Sequence, residues 1–278
     1  MSGHSHSKKI KREKAITDQK RGQMFSKIAR MISVAIKEGG TNPETNQRLN
    51  VAMETAKKWN LPKENIERAI KKGSGEESTG EKLEAVSFEA FGPGGVAIII
   101  EGITDNKNRT LGEIKQILSQ NNGKLVGEGA VRWLFEKRGV ITVIFASQPS
   151  SIKGEEDKSS SSPTEALDEV KKRTKFSSPF ATARVSKEEL ELAVIEAGAE
   201  DVLWYDDDLE VYTTPENLEK VKKILEEKGI KIDSFSLDWV AKETVDLDEK
   251  QKEACQKLFE ALDENEAVQE IYSNIKLP

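Results

Sequence analysis

The 278 residues contain one cysteine and two histidines. A lone Cys255 excludes an intrachain disulfide and a cysteine-based metal site. His4 and His6 stand close together near the start, with no third ligand of either type nearby, so no catalytic or structural metal is expected. Nucleophilic triads are equally short of partners. Cys255 falls beside an apolar stripe on a helical stretch and reads as a core residue, not a nucleophile. Aromatics reach only 6%, and the four tryptophans, Trp59, Trp133, Trp204 and Trp239, fall on apolar faces. They read as core anchors and not as base-stacking platforms. No apolar run approaches the roughly 20 residues needed to span a bilayer. The longest, "GVAIIIEGI", is strand-sized. The basic N-terminus lacks the apolar centre of a signal peptide. No enzyme, cofactor, membrane partner or small-molecule substrate is expected, and the setting expected is the reducing cytoplasm.

Charge is plentiful and unevenly placed. The whole chain is acidic, with a net charge of −6 and a pI near 5.4. Yet through Lys72 there are 17 Lys/Arg against 7 Asp/Glu, which leaves 26 against 42 for the remainder. One end is thus about +10 and the rest about −16. Such asymmetry marks a polyanion-binding end, the alternatives being a plain solvated face or an acidic protein or membrane partner. Lys8, Lys9, Lys11, Arg12 and Lys14 lie in a polar arm without apolar period. Lys20, Arg21, Lys27 and Arg30 lie on a first helix. Lys57, Lys58, Arg68, Lys71 and Lys72 lie on the next two. Lysine-rich contacts position a phosphate backbone without reading bases.

The periodicity predicts an α+β protein of three domains. Residues 1–75 read as a basic three-helix bundle. Its helices begin near Gln19, at Asn42-Pro43-Glu44 and at Pro62, with Gly39-Gly40 and Gly73 as stops. After the linker "GSGEESTGE" the period becomes two. "VSFEAF" and "VAIIIEGI" read as strands around the hairpin turn "GPGG", which lacks the Lys-Ser/Thr ending of a phosphate cradle. "TLGEIKQILSQNNG" reads as a helix capped by Thr110 with Glu113 in a capping box. "AVRWLFEKRGVITVIF" reads as two strands about a turn at "EKRG". Ser186 and Glu189 open another helix with a capping box. "DVLWY" and "LEVYTT" form a hairpin whose acidic tip does not fit a calcium loop. The order from Val140 to Ala241 is strand, helix, strand, strand, helix, strand, the ferredoxin-like pattern. Residues 139–244 would form such a domain, carrying a Ser- and Pro-rich disordered insertion over about 148–182. It would be inserted into a second α+β domain of the ferredoxin-like kind, made of 80–138 and 245–278. The loop Asp105, Asn106, Lys107, Asn108 and Arg109 reads either as turn and capping chemistry or as a polar recognition loop.

Several stretches carry a resemblance. They are "GHS" at Gly3, "IK" at Ile10, "DQKRGQMFSKIAR" from Asp18, "EGG" at Glu38, "NIERAIKKG" from Asn65, "FGPGGVAIIIEGITDNKNRT" from Phe91 and "AVQEIYSNI" from Ala267. Through them the chain resembles the YebC/PmpR proteins of bacteria and their mitochondrial relative, the translational activator of cytochrome c oxidase subunit one. The resemblance implies three domains of the kind just read and no enzyme activity. It implies DNA binding for some members. For others it implies action on the ribosome at difficult stretches such as consecutive prolines. Its basic N-terminal motif falls on Lys11, Lys14, Lys20, Arg21 and Lys27. It implies the mitochondrial matrix as the setting of a eukaryotic relative. Where the family follows Gly-His-Ser with Lys-Trp, this chain has His6 and Ser7, so an aromatic is missing from the tail.

Three functions are therefore weighed. One is a translation factor whose arm and bundle grip ribosomal RNA. Another is a transcriptional regulator lying on duplex DNA as a homodimer. The third is a protein-interaction module. No helix of the bundle shows the Arg/Asn/Gln-rich face of a recognition helix, and an acidic body disfavours lying along a long duplex. Ribosomal RNA is therefore the preferred target.

Overall fold

The structure, a computed structural model, describes residues 18–76, 83–145, 186–205 and 208–276. The arm with Lys8, Lys9, Lys11, Arg12 and Lys14, and the insertion expected over about 148–182, lie outside the described residues. These divide into two compact units, 1–138 with 236–278, and 139–235. None of the described helices is long and apolar enough to cross a membrane.

The first unit begins with three helices, α1 (Asp18–Gly39), α2 (Gln47–Lys58) and α3 (Lys63–Ser74). Apolar residues at three- and four-residue steps give α1 a buried stripe of Met24, Ile28, Ile32, Ala35 and Ile36. It packs on Leu49, Ala52 and Ala56 of α2 and Ala69 of α3. Two boundaries differ from the sequence reading. Asn42 accepts from the Glu44 N–H at 3.0 Å and makes a turn, so α2 starts later. Its cap is Asn46, whose Oδ1 accepts from the Leu49 N–H. The Asn46 amide also donates to the carbonyls of Ala35 and Gly40, which fixes the end of α1. Gly73 does not stop α3. A Cβ there would sit 2.6 Å from the Ser33 carbonyl oxygen, so glycine permits the close crossing of α1 and α3. Gly75, at φ +82, ends the helix instead.

Then follow β1 (Glu84–Phe91), β2 (Ala97–Thr104), α4 (Lys107–Gln120) and β3 (Lys124–Val126). The chain returns to this unit with α7 (Glu249–Asp263) and β8 (Val268–Ser273), named in order with the elements below. The sheet order is β3-β1-β2-β8, with β1 antiparallel to β2 and β3 and β2 antiparallel to β8. Central β2 is covered on both faces, which explains its unbroken apolar run. Ile98 and Ile100 pack on Ile114 and Leu118 of α4 and on Leu258 and Leu262 of α7. Ala97 and Ile99 pack on Val131, Phe135 and Tyr272. Cys255 is buried in the first of these clusters.

The second unit is built around β4 (Phe135–Ile144), α5 (Lys187–Glu196), β5 (Asp201–Tyr205), β6 (Asp208–Thr213), α6 (Leu218–Glu227) and β7 (Ile232–Ala241). Its sheet order, β5-β6-β4-β7, is that of a ferredoxin-like domain. The expected turn at "EKRG" is absent, because those residues run inside β4. Gly139 serves close packing there: an added Cβ would meet Leu218 Cβ and Thr213 Cγ2 at 2.9 Å. The Ser186–Glu189 capping box is present as read.

Candidate nucleic-acid interface

α1 has an inner face as well as an outer one. Lys27 is only 6% exposed. Its ammonium donates to the Asp263 carbonyl at 2.7 Å and to the Asp263 carboxylate at 3.1 Å. One turn on, Arg30 donates to the Glu266 carbonyl at 2.6 Å and to its carboxylate at 3.0 Å. Both side chains thus dock α1 on the turn between α7 and β8. This corrects the sequence reading, which placed both cations towards a partner. Lys27 stands next to the buried Ile28 and Arg30 midway between Ile28 and Ile32, so both can reach an acidic turn packed against the same helix. Helical spacing alone does not reveal that turn.

Most of the other predicted cations described on these helices are exposed. Arg21 is exposed, its guanidinium 5.6 Å from the Phe25 ring centre. Lys20 stands in the first turn of α1, and its side chain lies outside the described residues. Lys57 and Lys58 are exposed at the end of α2, with Lys57 paired to Glu54 at 2.7 Å. Pairs of this exposed kind contribute about 0.3–0.5 kcal/mol and leave the cation accessible. Arg68 and Lys71 are exposed on α3, and Lys72 is half-buried beside them. Arg48, at the start of α2, forms an ion pair with Glu38.

The polar loop after β2 is mostly helix. Asn106 is the N-cap, its Oδ1 accepting from the Arg109 N–H at 3.1 Å, so Lys107, Asn108 and Arg109 form the first turn of α4. Thr110 does not cap; it is buried, and its hydroxyl donates to Thr104 Oγ1 at 2.8 Å. Lys107 and Arg109 thus stand where the helix dipole disfavours positive charge. Asp105 and Glu113 flank Arg109 and offset this. A groove of about 760 Å³ opens here, lined among others by Arg30, Lys72, Asp105, Arg109, Glu113 and Glu266.

Sequence reasoning missed one feature. Trp133 is 66% exposed, not a core anchor. It lies in a tight turn, Arg132–Leu134, that leads into β4. That turn is held by Glu89, a buried carboxylate on β1. Glu89 accepts from the N–H groups of Gly129 and Val131, both at 2.8 Å, and of Arg132 at 3.0 Å. Burial pushes its pKa up, but the Val131, Gly129 and Arg132 N–H donors and the Arg132 guanidinium outweigh this and leave it below the ordinary value. Trp239 is half-buried, with the Arg132 guanidinium and the Lys137 ammonium each over its ring. The only signal in the sequence was the run of Arg and Lys around Trp133.

Other reactive chemistry is sparse among the described residues. They contain no group of three or more His, Cys, Asp or Glu placed to hold a metal. Burial pushes the Cys255 thiol up to about 11, far from a reactive thiolate.

Fold and surface together define a class: an α+β protein with a helical, cation-bearing N-terminal region and two four-stranded antiparallel sheets. The particular family follows from comparison. Residues 5–76 match the TACO1/YebC protein N-terminal domain, and residues 83–178 and 169–275 match the TACO1/YebC second and third domain. The chain belongs to the TACO1/YebC family. It is 42% identical over 279 residues to a "Probable transcriptional regulatory protein" of Persephonella marina, covering 100% of this chain and 96% of that one. A protein of the same name from Syntrophus aciditrophicus is 39% identical over 278 residues, again covering 100% and 96%. Among solved structures, a conserved hypothetical protein of Aquifex aeolicus superposes with a TM-score of 0.76 at 38% identity. That match covers 96% of this chain and 94% of that one.

Proposed function

We propose that the chain is a non-enzymatic regulator of gene expression that grips a nucleic-acid backbone through its arm and the outer faces of α1–α3. The observation that carries this is the charge division, about +10 through Lys72 against about −16 beyond it. Removing Lys27 and Arg30 from the gripping set leaves Lys8, Lys9, Lys11, Arg12, Lys14, Lys20, Arg21, Lys57, Lys58, Arg68, Lys71 and Lys72. The relatives named as probable transcriptional regulatory proteins support the wider reading of a regulator.

The target we favour is ribosomal RNA, which makes the chain a translation factor. Lysine-rich, outward charge suits the phosphates of a folded RNA. The second reading, a transcriptional regulator on duplex DNA, is favoured by the relatives' names. In either reading Lys107 and Arg109 at the start of α4 suit an anionic contact.

The test is co-sedimentation with ribosomes at low and high salt, alongside a shift assay on duplex DNA. Reversing Lys11, Lys14, Lys20 and Arg21 to Glu is expected to abolish binding while circular dichroism stays unchanged. With about six phosphates engaged, the log–log salt slope is about −4 on a single strand and about −5 on a duplex. A flat salt response defeats the reading, and a DNA shift without ribosome binding moves it to the second.

A further inference from the structure

We infer that Trp133 is a stacking platform for an unpaired base of single-stranded RNA, with Lys137 and Lys242 drawing in the adjoining phosphates. This rests on the RNA reading above but uses a residue of the turn before β4, outside the basic helices that carry that reading.

An indole so exposed needs a reason, since large aromatics usually bury their faces. Here the exposure is fixed by the surrounding bonds. The Trp133 Nε1–H donates to the Ala130 carbonyl at 3.1 Å, so the ring's polar atom is satisfied within its own turn. Three backbone donors around it bind the buried Glu89 carboxylate. Gly129, at φ +83, provides a backbone conformation that other residues rarely adopt. The platform is therefore held in place before any ligand arrives, and little ordering cost remains for binding.

The surrounding charge is mixed: Arg132 lies 3.5 Å from the Glu89 carboxylate and 3.7 Å from that of Glu128, which leaves Lys137 and Lys242 as the cations to meet phosphate. The Lys242 ammonium donates to the Trp133 carbonyl at 3.1 Å, which sets a cation beside the ring's own backbone. Arg132 and Lys137 lie over neighbouring Trp239, each guanidinium or ammonium about 5.5 Å from its ring centre. Those contacts leave the Trp133 face uncovered. With its N–H already bonded, the indole offers a π-face and no base-reading donor. Stacking of that kind accepts any base. A duplex, whose bases are already stacked, has nothing to place on it.

The full-length protein is titrated with a labelled single-stranded oligouridine and with a blunt RNA duplex of the same length, read by fluorescence anisotropy. Trp133→Ala is expected to weaken single-strand binding by about fivefold to a hundredfold, the range of one lost base stack. Trp133→Phe, which keeps an aromatic face, is expected to stay within about threefold of the parent. Duplex binding and the salt slope should be unchanged in both variants. Unchanged single-strand affinity in Trp133→Ala overturns the platform while leaving the RNA reading intact. An equal loss on both probes overturns it too, because the contact would then not be to a base. A parent protein that binds neither probe defeats the RNA reading and this inference together.

Discussion

Lys27 and Arg68 are both cations on amphipathic helices of the same region, and their surroundings give them opposite roles. Lys27 is buried against Asp263, whereas Arg68 faces water. The face of α1 turned to the α7–β8 turn uses charge to hold the protein together. On the outer faces of α1–α3, Arg21, Lys57, Arg68 and Lys71 stand exposed to water. Glu89 belongs with the first kind, since its carboxylate is buried and meets three backbone donors. What separates the two kinds is desolvation: once a charge is out of water, removing its partner becomes expensive.

The comparison breaks most visibly at Lys27. Lys27→Ala strands a partly buried Asp263 and is expected to cost about 3 kcal/mol, seen as a lower thermal midpoint. Replacing both partners with apolar residues, Lys27→Met with Asp263→Leu, should recover most of that loss. At Glu89 the effect is smaller. Its folded pKa lies below the ordinary 4.5, so its contribution is complete above that value and fades as pH falls through the folded one. Glu89→Gln is expected to cost about 1–3 kcal/mol near neutral pH. The same change should flatten the part of the acid unfolding curve below pH 4.5 that Glu89 supplies, read by tryptophan fluorescence. On the outer face, Arg68→Ala with Lys71→Ala should leave stability within about 0.5 kcal/mol. Their effect should appear in binding alone, as a salt slope shallower by about one to two.

Much of this fold is written in the sequence. The unbroken isoleucines of β2 announce a strand covered on both faces, and the Ser186–Glu189 pair announces a helix start. The βαββαβ order of the second unit is legible from alternating periods. The errors cluster at glycines and caps. Gly73 looks like a stop and Gly139 like part of a turn, yet each sits inside an element because a neighbour crosses too closely for a Cβ. Thr110 looks like a cap, and the true cap, Asn106, lies one turn earlier inside a run of polar residues. The site was less legible than the fold, for a related reason. A count of cations on helices cannot tell Lys27 from Arg68, because the acids that claim Lys27 and Arg30 lie far along the chain. Trp133 was misread because burial is decided by the turn around it and not by its neighbours in sequence.

The Lys27–Asp263 contact joins residues 236 positions apart. Synthesis runs from the N-terminus, so α1 is complete long before the turn that receives it exists. Until that turn is made its inner cations have no partner, and residues synthesised 236 positions later close the joint. Seating of the first helix therefore waits for the α7–β8 turn to emerge, and a chain cut short before Asp263 would leave that helix undocked.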